Sequence, residues 1–269
     1  MIDKLADSSA EEGTRAVRMP HVVLEGVGKA YGEGDNRFVA LDGVDVTIGR
    51  SEFVSIIGPS GCGKSTLLMV IAGLVPPTCG TVAVDGRAIT QPLSDIGIVF
   101  QRDLLFDWRT VLDNVLLQAE VRGLDPASSR ANAMQLLARV GLQGFEHRRP
   151  WELSGGMRQR VAICRALLHD ASLLLLDEPF GALDALTRDQ MNLDLQELWV
   201  EHRKTAVLVT HSISEAVFLS DRVIVMGSHP GRIVKVLDID LGRPRSVEVR
   251  DGEAFVGYQR LLRESIGHA

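Results

Sequence analysis

One run constrains this chain more than any other: EFVSIIGPSGCGKSTLLMVIAG, at positions 52–73. Residues 53–57 are mostly apolar and rich in Val and Ile, which suits a strand buried on both faces. That strand must stop at Gly58, Pro59, Ser60, Gly61, Cys62 and Gly63, because such a Gly- and Pro-containing segment cannot continue it. Lys64, Ser65 and Thr66 then open an apolar helix. Glycines let backbone N–H groups turn inward, and the start of the helix aims its unpaired donors and positive dipole end at the same point. Lys64 adds a charge able to reach β- and γ-phosphates, and the Ser65 hydroxyl can ligate Mg²⁺. The stretch therefore predicts a site for a nucleoside triphosphate. A plain Gly-rich turn ahead of Lys-Ser is the bland alternative, and it leaves the strand-loop-helix setting unexplained.

The remaining residues must build a domain around that loop. With 269 residues, 45% hydrophobic and 24% charged, the chain can form one large α/β domain with appendages or two small ones. Its net charge of -6 argues against a duplex nucleic acid as main partner. The three cysteines (Cys62, Cys79, Cys164) fit neither a zinc site nor a disulfide framework, so reduced thiols in a cytosolic compartment are expected. No apolar run approaches the roughly 20 residues that cross a bilayer. The N-terminal stretch has mixed charge and no apolar centre; it reads as a solvated, disordered tail over residues 1–19 rather than a secretion signal.

Residues 21–27 and 44–48 read as strands, with a turn over 29–32, giving an antiparallel layer ahead of the loop. Further strands are expected at 80–84 and 96–100, with Gln101 at the end of the second. From about 102 to 155 the pattern becomes helical, with apolar faces over 111–121 and 127–140 and no convincing strand between. Ser154 is a good N-cap for a helix through Val161 and Leu167, so a second helix start with small residues follows. The run Leu173-Leu174-Leu175-Leu176 ends in Asp177 and Glu178, two acids at the end of a buried parallel strand where α/β sheets bind ligands. Successive strand residues face opposite ways, so the acids should take different tasks: Asp177 a Mg²⁺ shell, Glu178 an attacking water. Residues 205–210 form another buried strand that ends at His211, ahead of an expected capping box from Ser212 to Glu215. An edge strand over 232–241 and a short C-terminal helix over 253–266 complete the reading.

In this order, GPSGCGKS, Gln101, LSGG at 153–156, LLLLDEP, GALD and His211 resemble the ATP-binding subunits of ABC transporters, strongly over residues 21–230. DEPFGALDALTRDQM, Phe106-Asp107-Trp108, the HPGRI run at 229–233 and GRPR at 242–245 are similar to importers of the nitrate, sulfonate and taurine type. The resemblance implies a P-loop NTPase core with a parallel sheet, an antiparallel β subdomain and an inserted all-helical subdomain, together over residues 20–240, with an extension over 241–269. It implies that Tyr31 stacks on adenine and that Gln101 touches Mg²⁺. It implies a homodimer in which Leu153, Ser154, Gly155, Gly156, Gln159 and Asp184 of one copy meet the nucleotide held by the other. His211 would contact the γ-phosphate and, with Glu178 and Lys64, complete the hydrolytic set. Separate membrane permease subunits and an extracytoplasmic solute-binding protein would complete an importer on the cytoplasmic face of the inner membrane. Ser212 stands where an Asp is frequent, and Cys79 where Ser is; neither touches the chemistry.

Two rivals make different demands. A soluble ABC-type ATPase acting on nucleic acid or ribosomes calls for tandem nucleotide domains, a long coiled-coil insertion or a basic face, none of which the sequence displays. A P-loop kinase leaves LSGG and the pairing of Glu178 with His211 unexplained.

Overall fold

The computed structural model describes residues 18–181, 183–228 and 230–267, with no side-chain placement for Asp35. The predicted tail up to residue 17, and His229, lie outside the described residues. Arg18 belongs to the folded body: its Nη1 donates to Ser51 O at 3.1 Å and pairs with Asp221 at 2.8 Å.

The chain opens with β1 (Pro20–Tyr31), β2 (Phe38–Gly49) and β3 (Phe53–Ile57), followed by α1 (Lys64–Ile71), β4 (Cys79–Val84), the two-residue β5 (Arg87–Ala88) and β6 (Ile96–Val99). Then come α2 (Val111–Arg122), α3 (Pro126–Arg139), α4 (Gly155–Leu167), β7 (Leu173–Asp177) and α5 (Ala185–His202). The last elements are β8 (Thr205–Val209), α6 (Ile213–Leu219), β9 (Arg222–Gly227), β10 (Arg232–Asp238) and α7 (Glu253–Gly267). The expected turn at 29–32 is instead strand as far as Tyr31, because β1 pairs on both sides, with β2 and with β4, through several bulges.

Two sheets result, an antiparallel one in the order β2-β1-β4-β5 and a six-stranded one in the order β10-β9-β3-β8-β7-β6. In the second, β9, β3, β8, β7 and β6 all run parallel, and only the edge strand β10 is antiparallel. Every residue of β3 is buried, and side chains alternate between two cores. Phe53 and Ile57 face the core shared with α2 to α7, while Val54 and Ile56 face the core shared with α1 and the antiparallel sheet. Burial on both faces explains why these strands read as unbroken apolar runs.

The helices of the inserted stretch are set by local chemistry. Thr110 and Asp113 form a reciprocal capping box at the start of α2, and the αL residue Gly123 ends it. Asp125 caps α3, with Pro126 at its first position. The expected C-terminal helix forms where the sequence places it, over 15 residues, and buries Phe255 and Leu262 fully. Arg245, 3% exposed, donates to the carbonyls of Val217, Phe218 and Ser220, satisfying the end of α6. Arg243 lies 4.5 Å over the Trp199 ring and pairs with Asp221, so GRPR works as a clamp.

Candidate functional site

Because β3, β6, β7 and β8 run in one direction, the segments after them share one edge of the sheet. In chain order these are the phosphate loop, Gln101, the Asp177-Glu178 pair and His211. The loop backbone passes between other elements with no room to spare. A Cβ at Gly58 would come within 2.3 Å of Met226 O, and one at Gly63 within 2.7 Å of Ala40 O; Gly63 also has φ +93°. Only glycine meets both demands. Cys62 is buried beneath the loop, whereas Ser60 and Gly61 are exposed. The Lys64 ammonium donates to Gly58 O at 3.0 Å and to Pro59 O at 2.9 Å, which folds it over the loop.

A cleft of about 270 Å³ opens beside the loop, lined by Tyr31, Phe38, Ala40, Ser60, Gly61, Gly63, Lys64, Ser65, Thr66 and Glu178. Tyr31 and Phe38 are register partners across β1 and β2, so both rings project from one face of the pair. Tyr31 is 42% exposed and Phe38 52%. Sequence reasoning missed Phe38 because its place opposite Tyr31 depends on a bulged register that no local pattern reveals.

The two acids behave as strand geometry requires at Asp177 and depart from it at Glu178. Asp177 is in step with Leu173 and Leu175, which face the α1 core, so its carboxylate meets α1: Ser65 Oγ donates to Asp177 Oδ1 at 2.9 Å. Burial pushes the Asp177 carboxyl up, with the Glu178 charge adding to this, while Ser65 and Lys64 oppose it. Glu178 has left the strand at φ +45°, a conformation uncommon outside glycine. That turn brings Glu178 Oε2 to 3.3 Å from Gln101 Nε2 and 3.3 Å from His211 Nδ1. So Gln101 and His211 converge on one carboxylate while the neighbouring carboxylate is held elsewhere. This arrangement suits Glu178 to accept a hydrogen bond from an attacking water and His211 to steer it.

The LSGG segment at 153–156 is not part of this cleft. Ser154 Oγ accepts from Met157 N at 3.3 Å and caps α4, and Ser154 and Gly155 are exposed. Gly156 is buried, and a Cβ there would lie 2.8 Å from Thr187 Cγ2. Leu153 is buried too. Gln159 is 5% exposed and donates to Phe100 O at 3.5 Å, so α4 turns it toward the end of β6. Asp184 caps α5, accepting from Thr187 N at 3.0 Å and Thr187 Oγ1 at 2.7 Å, and these bonds hold its carboxyl below the usual range. The predicted capping box on α6 is half formed: Ser212 Oγ accepts from Glu215 N, but the Glu215 carboxylate bonds Thr210 instead of reaching back.

The chain has counterparts among known proteins. The family model described as ABC transporter matches residues 41–181. A taurine import ATP-binding protein, TauB, of Rhizobium johnstonii is 47% identical over 229 residues, 84% of this chain and 87% of that protein. An uncharacterized ABC transporter ATP-binding protein of Methanocaldococcus jannaschii is 45% identical over 239 residues, 89% of this chain and 88% of that protein. Among solved structures, an ATP-binding cassette captured as a dimer in a post-hydrolysis state with ADP and Pi superposes with a TM-score of 0.74. It is 35% identical and covers 82% of this chain and 100% of its own. The chain belongs to the ABC transporter family, as an ATP-binding subunit with ATPase activity.

Proposed function

We propose that this chain energises uptake of a small anion of the taurine, sulfonate or nitrate kind, as a pair of identical subunits beneath separate membrane permeases. The observation that carries the reading is the convergence of Lys64, Ser65 with Asp177, Gln101, Glu178 and His211 on one sheet edge. Identity of 46–47% to taurine import proteins supports the import class. In this reading residues 20–240 work as the ATPase unit, with 102–155 as its helical insertion and the residues from 241 as an extension.

Tyr31, with Phe38 opposite, offers the adenine a stacking face. The amides of residues 58–66 and Lys64 take the phosphates. Ser65 and Asp177 fit a divalent cation: an oxygen pair already bonded to each other, with a carboxylate whose burial leaves it short of positive charge. Gln101, bonded to Glu178 rather than to this pair, would join the Mg²⁺ shell from the end of β6. Mg²⁺ bound there would neutralise charge on the β- and γ-phosphates. Glu178 accepts the hydrogen of the attacking water, and His211 orients that carboxylate and the γ-phosphate.

Ser154, Gly155 and the start of α4 supply donors to the nucleotide of a second copy, Leu153 and Gly156 fix their backbone, and Asp184 sits at the joint. Leu186, 84% exposed and two residues after Asp184, gives that joint an apolar contact. Among the described residues no helix is long and apolar enough to cross a membrane, so permeases form the pore. Exposed Leu104, Trp108 and Trp151 on the insertion offer them a docking surface next to Gln101. The subunit then lies on the cytoplasmic face of the membrane, and a solute-binding protein delivers the anion from the other side. Disruption of the gene, followed by uptake of labelled taurine, nitrate and an alkanesulfonate, tests this. Loss of one uptake, restored by wild type but not by Glu178→Gln, is expected; unchanged uptake of all three contradicts the import class.

A further inference from the structure

We propose that Glu215 is a positioning residue for hydrolysis: through Arg188 it fixes the turn bearing His211 to the start of α5. This rests on the catalytic reading of His211 and Glu178 above. Glu215 is 3% exposed on α6, and no step assigned so far uses it. Its carboxylate is committed in two directions. Thr210 Oγ1 donates to Glu215 Oε2 at 2.6 Å, and the same hydroxyl accepts from Ser212 N at 3.0 Å. Both neighbours of His211 are thereby held by one buried acid.

The other oxygen, Oε1, lies 3.4 Å from Arg188 Nε. Arg188 in turn donates to Leu183 O at 2.8 Å and to Phe180 O at 3.4 Å, gripping the backbone just before the Asp184 cap. Burial pushes the Glu215 carboxyl up, with Thr210 and Arg188 opposing, so this ion pair carries a desolvation cost. Buried pairs are weak contributors to stability, and their use is better sought in what they hold in register. Here the two things held are the His211 turn and the segment leading into α5. The His211 contact to Glu178 spans 3.3 Å, so a small drift of the turn breaks it.

The link reaches one step further. Gly156 on α4 leaves no space for a Cβ against Thr187, the residue before Arg188. A displacement of α4 or of the Asp184 cap by a second copy therefore reaches Arg188 by contact, and reaches the His211 turn through the Arg188–Glu215 ion pair and the Thr210 hydrogen bond. A coupling measurement tests this pathway directly.

The test is a double-mutant cycle on the full chain with Glu215→Gln, Arg188→Met and the pair, reading kcat, KM for ATP and melting temperature. Gln keeps the acceptor for Thr210 and the volume while removing the charge. Each single variant is expected to lower kcat on the order of tenfold with KM changed less than about twofold, because the phosphate loop and Tyr31 are untouched. The double variant is expected to be no slower than the slower single one. Multiplying losses, unchanged kcat in folded variants, or a kcat loss that only tracks a lower melting temperature would overturn the proposal. If Glu215→Gln does not fold, Arg188→Met, at a part-exposed position, carries the kcat and KM readouts alone. Wild type and Glu178→Gln are measured alongside: a wild type without ATP turnover, or an undiminished Glu178→Gln, would instead defeat the catalytic reading on which this rests.

Discussion

At the scale of single residues, the chemistry divides between two adjacent acids because one ends a strand and the other leaves it. Replacing Glu178 by Gln should lower kcat by about 10²–10⁴-fold while ATP is still bound. The variant should accumulate as a nucleotide-bound dimer in size-exclusion chromatography; normal turnover would remove Glu178 from the catalytic role. Replacing Lys64 by Ala removes charge-assisted bonds worth roughly 1.5–3 kcal/mol each, so ATP affinity measured by calorimetry should fall at least about tenfold. Retained affinity would contradict the loop assignment. Lys64, Ser65, Asp177, Glu178 and His211 were legible because each sits at the end of an apolar run or inside a spaced motif. Phe38 and Glu215 were not: the first depends on the β1–β2 register, and the second on a hydroxyl that diverts its carboxylate from the expected cap.

Among elements, what decides legibility is whether burial writes a pattern. Strands β3 and β7 are buried throughout, so they show as continuous apolar runs, and even the inward side of Asp177 follows from counting by two. The end of β1 is polar and bulged, so Lys29 to Tyr31 reads as a turn although it is strand. The C-terminal helix has an amphipathic sequence whose partners, α6 and β9, lie far away in the chain, so its docking was invisible. Its anchor is Phe255, fully buried; Phe255→Ala should cost about 3–5 kcal/mol in urea unfolding. An unchanged midpoint would mean that the helix contributes nothing to the core. Ser154→Ala removes the α4 cap and should cost about 1 kcal/mol of stability.

At the scale of the whole molecule, two buried histidines among the described residues, His21 and His169, tune stability to pH. His21 is held below its usual value chiefly by burial, although Asp85 pulls the other way, and His169 likewise chiefly by burial. Each takes up a proton more readily when unfolded, so its contribution is present above about pH 6.5 and is lost as pH falls through the folded value. Asp177 and Glu215, with raised carboxyls, act in the opposite sense: their contribution is present at low pH and is lost as pH rises. The difference between proteins is therefore the readout. His169→Gln should show a smaller drop in urea midpoint between pH 7.5 and 5.5 than wild type; an equal drop would contradict the assignment. The two-copy arrangement is the claim on which the rest of the mechanism depends. The most direct measurement is a structure of Glu178→Gln with Mg²⁺ and ATP. The account predicts Ser154 Oγ of the second copy within about 3 Å of a γ-phosphate oxygen held by Lys64 of the first. A nucleotide enclosed by one chain alone, with Ser154 open to solvent, would contradict it.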